Sequence, residues 1–214
     1  MLDTARFGLG EQVFSCAREA APDDALRVAC EAVSGISGNL VCGPFVVHRP
    51  GDILVNAAAP GASVEILEDL QDAGLAPFGL TLSRVHFPGG QTLPPHVGTG
   101  AIALRLGLLA QMLDRAFVHL EKRDSFGQKL LHQPLVKGQF SASGTLLTRI
   151  RAEMAVDAAD PLDVETLHDE ISRHTIQVGK LMGGHGFRTG SLNDLEYLSG
   201  LLCASMTPRP AGEA

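Results

Sequence analysis

After Pro94-Pro95 the apolar residues Ile102, Leu106, Leu109, Leu113, Ala116 and Leu120 step by four, three, four, three and four. That period draws one stripe down a long helix, and such a stripe needs partners to cover it. A second helix is predicted over about 134–157, with Leu146, Ile150 and Met154 on one face. Asp160-Pro161 then reads as the cap of a third, in which Val164, Leu167, Ile171, Val178 and Leu181 repeat at three and four. A short fourth starts at Ser191, with Asp194 as its capping-box partner and Leu192, Leu195, Leu198 and Leu202 on its apolar side. Four helices with short links predict an up-down four-helix bundle over 96–206.

Upstream the grain differs. Val13, Phe14, Ala17, Leu26, Val28, Ala29 and Val33 fall near helical spacing, with Pro22-Asp23-Asp24 as a break and N-terminal cap, so residues 1–34 are predicted to hold two short helices. From 35 to 95 the runs are short and rich in β-branched residues, punctuated by Pro50-Gly51, Pro60-Gly61 and Pro88-Gly89-Gly90. Strands are expected at 44–49, 52–57, 63–67 and 78–87, which together make a small partial β-domain. Residues 207–214 are expected to form a flexible tail. The predicted class is α+β.

A chain of 214 residues is long enough to bury a sizeable core. Its net charge of −7, with both signs mixed along the chain, offers no basic face to nucleic acid or to an anionic membrane. No apolar run is long enough to span a bilayer, and a cytoplasmic protein is expected. Cys16, Cys30, Cys42 and Cys203 form no CxxC pair, so free thiols are expected rather than disulfides or zinc, and no metal site is predicted.

Two segments place special residues where helices end. In Arg123-Asp124-Ser125-Phe126-Gly127-Gln128 a guanidinium and an aromatic ring stand three residues apart on a turn, suited to a phosphate and a flat heterocycle. The same residues also suit a plain helix C-terminus, with Lys122 and Arg123 answering the dipole and Gly127 ending the helix. In Lys180-Leu181-Met182-Gly183-Gly184-His185-Gly186-Phe187 three glycines let backbone approach a ligand, or simply allow a tight turn. Following a helix rather than a strand, they are not a Rossmann loop.

The order of these parts is more specific than any one of them. A long amphipathic helix, Arg-x-x-Phe-Gly-Gln, His132-Gln133, a second long helix, a third ending in Leu-Met-Gly-Gly-x-Gly-Phe and a short fourth resemble the C-terminal domain of the acyl-CoA dehydrogenases. Residues 63–91 are similar, less distinctively, to the last strands of that family's middle β-domain. The resemblance implies a flavoprotein subunit that helps oxidise the α,β carbon-carbon bond of acyl-CoA thioesters. It implies FAD held across a subunit interface, with Arg123 at the pyrophosphate, Phe126 and Gln133 at the same end of the cofactor, and Gly183 and Gly184 offering backbone contacts. Where the family has a glutamine three residues before its first glycine, this chain has Lys180.

Most of the family's N-terminal helical domain and the front of its β-domain have no counterpart here. The catalytic glutamate is also missing: its two family locations fall at Met206-Thr207-Pro208 and at Val97-Gly98. Glu196 and Asp194 are expected to face solvent, and the histidines, His132, His168, His174 and His185 among them, to play surface or core hydrogen-bonding roles. No catalytic residue is assigned. The leading expectation is a shortened acyl-CoA dehydrogenase-like subunit in a homo- or hetero-oligomer, paired with a longer subunit that brings the base. The alternative is a non-catalytic assembly or regulatory protein that keeps the bundle for oligomerisation without flavin; a stand-alone flavoenzyme would need a base the sequence does not reveal.

Overall fold

In the computed structural model, which describes residues 4–88, 91–125, 127–156 and 162–207, the chain opens with helices α1 (Thr4–Glu19) and α2 (Pro22–Ser34). Five strands follow: β1 (Asn39–Val41), β2 (Phe45–His48), β3 (Leu54–Asn56), β4 (Ile66–Leu70) and β5 (Thr81–Val85). Next come helix α3 (Pro95–Glu121), a minimal hairpin of β6 (Asp124–Ser125) and β7 (Gln128–Lys129), and helices α4 (Pro134–Ala155), α5 (Val164–Leu181) and α6 (Leu192–Met206). The class is α+β with a C-terminal helical bundle.

Helix α3 organises everything else. Its six stripe positions are buried, but so are Ala101, Ala103, Leu104, Leu108, Ala110 and Met112, so the helix is apolar on every side over much of its length. The single stripe read from the sequence therefore understates it: α1, α2, α4, α5 and α6 all pack on α3, and a helix covered all round is a core helix. Each fully buried Leu or Ile contributes roughly 1.5–3 kcal/mol, which makes this helix the main source of stability. At Gly107 a Cβ would lie 2.5 Å from the Ala17 Cβ and from the Phe14 carbonyl oxygen, so α1 crosses α3 where only glycine fits. Arg151 of α4 lies over the Phe14 ring at 4.6 Å and donates to both carboxylate oxygens of Glu11, tying α4 to α1. One hydrophobic core runs from α1 and α2 into the bundle.

The strands form two small sheets. β1 pairs in parallel with β3, and β2, β5 and β4 form an antiparallel sheet in that order. β1 was not expected, because three residues are too few for an alternating pattern to show. β4 starts three residues later than predicted; at the sheet edge its Ile66, Leu67, Glu68 and Asp69 are all exposed, so no buried face marks its bounds. The run 78–87 is shortened at its start by a 3-10 turn, Ala76–Phe78, closed by Gly79 at φ 63°.

Three helix starts also differ. Neither Asp23 nor Asp24 is the N-cap of α2; they sit in its first turn and pair with Arg49, while Pro22 takes the first helical position. The cap of α5 is Asp163, whose carboxylate accepts from the Thr166 N–H at 3.1 Å. The expected cap Asp160-Pro161, like the tail from Pro208, lies outside the described residues. At α6 the Asp194 carboxylate accepts from the Gly190 N–H rather than from Ser191, which supplies no cap bond. All four cysteines are free thiols, and burial pushes Cys30 and Cys42 up to about 12. Among the described residues no helix is long and apolar enough to cross a membrane.

Candidate functional site

Arg123 follows α3 directly. Its backbone N–H donates to the Leu120 carbonyl and its own carbonyl accepts from the Leu130 N–H at 2.8 Å, which seats it at the base of the β6–β7 hairpin. Gly127, at φ 77°, supplies the left-handed residue that the hairpin turn needs. Asp124 pairs with Lys129 across the hairpin and so is not Arg123's partner. Phe126 lies outside the described residues. Gln133 is half-buried at the start of α4, where its carbonyl accepts from the Lys137 N–H.

The glycine segment forms a 3-10 turn, Gly183–Phe187, between α5 and α6, and Gly183 takes φ 51°. A Cβ added at Gly183 or Gly184 would meet nothing within 4 Å, so the space over this backbone is open. Ser191 Oγ donates to the His185 carbonyl, holding the turn against the start of α6.

A histidine from each turn joins them. His185 stacks on His119 with ring centroids 4.5 Å apart and planes 19° from parallel. His119, in the last turn of α3, lies 3.5 Å from the Arg123 guanidinium. Arg123, His119, His185 and the open glycine backbone therefore share one end of the bundle. Partial burial, and then the neighbouring His185 and Arg123 charges, hold His119 below the ordinary imidazole range. Among the described residues no hydrogen bond joins Gln133 to this cluster; its backbone pairs with Leu130 and Lys137. His119 escaped the sequence reading because its only signal was a spacing of four from Arg123.

Beside the glycine turn, a groove of about 300 Å3 between α5 and α6 is lined by Ile176, Gly179, Lys180, Gly183, Asn193 and Glu196. Glu196, expected in solvent, is half-buried there. Gly179 makes room for it, since a Cβ would stand 2.7 Å from Glu196 Oε2. Burial pushes the carboxyl up, and Lys180 partly opposes this. At the two locations searched for a catalytic acid, Val97 is buried, Gly98 packs on Val164, and Met206 is buried.

A second polar cluster lies inside the bundle. Arg105, 1% exposed, donates to Ser199 Oγ at 3.1 Å, to His168 Nδ1 at 2.8 Å and to Ser172 Oγ at 2.7 Å, and no carboxylate is among these partners. Because a guanidinium only donates, His168 Nδ1 accepts and the ring proton sits on Nε2, which is buried without a partner. Burial, reinforced by Arg105, drops His168 from its ordinary 6.5 to about 3. A depressed value means stability that is present above about pH 6.5 and is lost as pH falls towards 3. Unfolding free energy is expected to decline by about 1.4 kcal/mol per pH unit in that window through this residue. Denaturant titrations at several pH values check it: His168→Gln must flatten the slope, and an unchanged slope would refute the assignment.

The arrangement of these helices and strands is similar in fold to solved acyl-CoA dehydrogenases. The chain matches butyryl-CoA dehydrogenase from Megasphaera elsdenii at TM-score 0.51 and 12% identity, covering 76% of this chain and 51% of that one. It matches the ChsE4-ChsE5 complex from Mycobacterium tuberculosis at 0.56 and 14%, covering 92% and 75%, and a steroid ACAD variant, Tcur3481-Tcur3483, at 0.54 and 17%, covering 82% and 52%. The chain thus spans about half the length of the first and the last of these. At such identities the likeness is one of fold. No family model and no curated protein matches the sequence.

Proposed function

We propose that this chain is an acyl-CoA dehydrogenase-like subunit that contributes to a shared FAD site in an oligomeric flavoprotein acting on acyl thioesters. The observation that carries the reading is the His119–His185 stack, which draws the Arg123 turn and the glycine turn to one end of the bundle. The residues there fit the diphosphate end of FAD. Arg123 makes no ion pair among the described residues, and the backbone at Gly183 and Gly184 is open to close approach. Bound flavin would accept the hydride when the α,β bond is oxidised. This chain's part is to hold and orient the cofactor, while a longer companion subunit brings the catalytic glutamate that Val97-Gly98 and Met206-Thr207 do not supply.

The ChsE4-ChsE5 match lends support, since that structure is a complex of two differently named chains and this chain covers 75% of the matched one. The missing acid equally favours a non-catalytic assembly protein that binds no flavin. Expression with and without the product of a neighbouring gene for a longer homologue separates the two. Yellow material with a flavin spectrum and a larger native mass is expected only from co-expression, and a protein that stays colourless both ways would refute the flavin site.

A further inference from the structure

The contact between Arg123 and His119 fixes a tautomer: the guanidinium can only donate, so His119 Nε2 accepts and its proton sits on Nδ1. Its neighbour His185 lies flat against it at 4.5 Å, an arrangement that two neutral rings tolerate and two imidazolium rings resist. The charged groups that act on His119 are Arg123, from the turn ending its own helix, and His185, from the facing turn. Lys122 and Arg188 flank them along the chain, and both are exposed. Of the nearby acids in sequence, Asp124 is engaged by Lys129 and Glu121 is exposed at the end of α3. The cluster is thus rich in donors and poor in acceptors, although the whole chain is acidic.

We propose that Arg123, His119 and His185 form one proton-coupled receptor for a phosphate-bearing anion, in which the anion bridges the two turns and the imidazole pair takes up a proton as the site loads. This rests on the shared-flavin reading and deepens it, because it adds two diphosphate-reading residues and makes cofactor loading depend on pH. The uptake is a simple transfer: one proton leaves solvent for an imidazole nitrogen, which turns from acceptor to donor, and no covalent bond forms or breaks. The anion supplies the negative charge that lets the stacked pair hold that proton beside Arg123.

The test uses the full chain with 15N-labelled histidine, titrated with inorganic pyrophosphate between about pH 6 and 8, where imidazoles change charge. Both rings are expected to shift towards imidazolium values on loading. Affinity is expected to rise as pH falls, more steeply than in the His119→Gln/His185→Gln variant, whose remaining slope reports the titration of pyrophosphate itself. His185→Gln alone is expected to weaken binding by about 10-fold, the loss of one charge-assisted donor. Pyrophosphate that binds while both rings stay neutral would overturn the inference and leave the flavin reading standing; absence of binding would overturn it too. Protonation of the rings in the isolated chain, together with a colourless co-expressed complex, would uphold the anion receptor and remove the flavin.

Discussion

Arg123→Ala is expected to lower flavin affinity of the co-expressed complex by about 10- to 100-fold while leaving its native mass unchanged. The magnitude follows from losing one hydrogen bond between a guanidinium and a phosphate oxygen, worth roughly 1.5–3 kcal/mol, where about 1.4 kcal/mol is a factor of ten. Assembly should survive because the Arg123 side chain is exposed and, among the described residues, makes no ion pair and only a 3.5 Å polar contact with His119. Its backbone bonds to Leu120 and Leu130, which seat the hairpin, are untouched by the substitution. Arg123→Lys should fall between the two, since an ammonium keeps the charge and loses the planar fork. Flavin content read by absorbance beside native mass decides the matter. Full retention of flavin would reduce Arg123 to a helix-end cation, and loss of flavin together with loss of the complex would make it a structural residue.

Arg105→Ala is expected to destabilise the fold by roughly 2–5 kcal/mol, the cost of leaving its buried neutral partners unsatisfied and of the cavity it vacates. The reason is less the lost charge than what remains. His168 Nδ1 and the Ser199 hydroxyl each lose the Arg105 donor, deep between α3, α5 and α6, and His168 Nε2 already lacks a partner. A cavity the size of the arginine stem adds to the cost. For a chain of this length the melting point should drop on the order of 10 °C, which a thermal melt at neutral pH reads directly. Arg105→Met, which refills the volume, should recover part of the loss. A shift below about 1 kcal/mol for the alanine variant would mean that water replaces the guanidinium and that the cluster is not structural.

The sequence by itself determined the helices of the bundle. Ile102 to Leu120, Leu146 to Met154 and Leu192 to Leu202 carry a 3.6-residue period that is a local property of the chain, and each of those positions is buried. The turn markers Gly127 and Gly183 were legible for the same reason, because glycine's freedom at positive φ is written in one residue. Strand bounds were less legible where burial does not alternate, as along exposed β4. The tertiary structure alone decided that α3 is covered on all sides, since that depends on how many neighbours arrive and not on the helix's own period. It alone paired His119 with His185, surrounded Arg105 with Ser172, Ser199 and His168, and set Glu196 against Gly179. These partners lie on different helices or turns, and no periodicity records which side chains meet when helices far apart in the chain pack together.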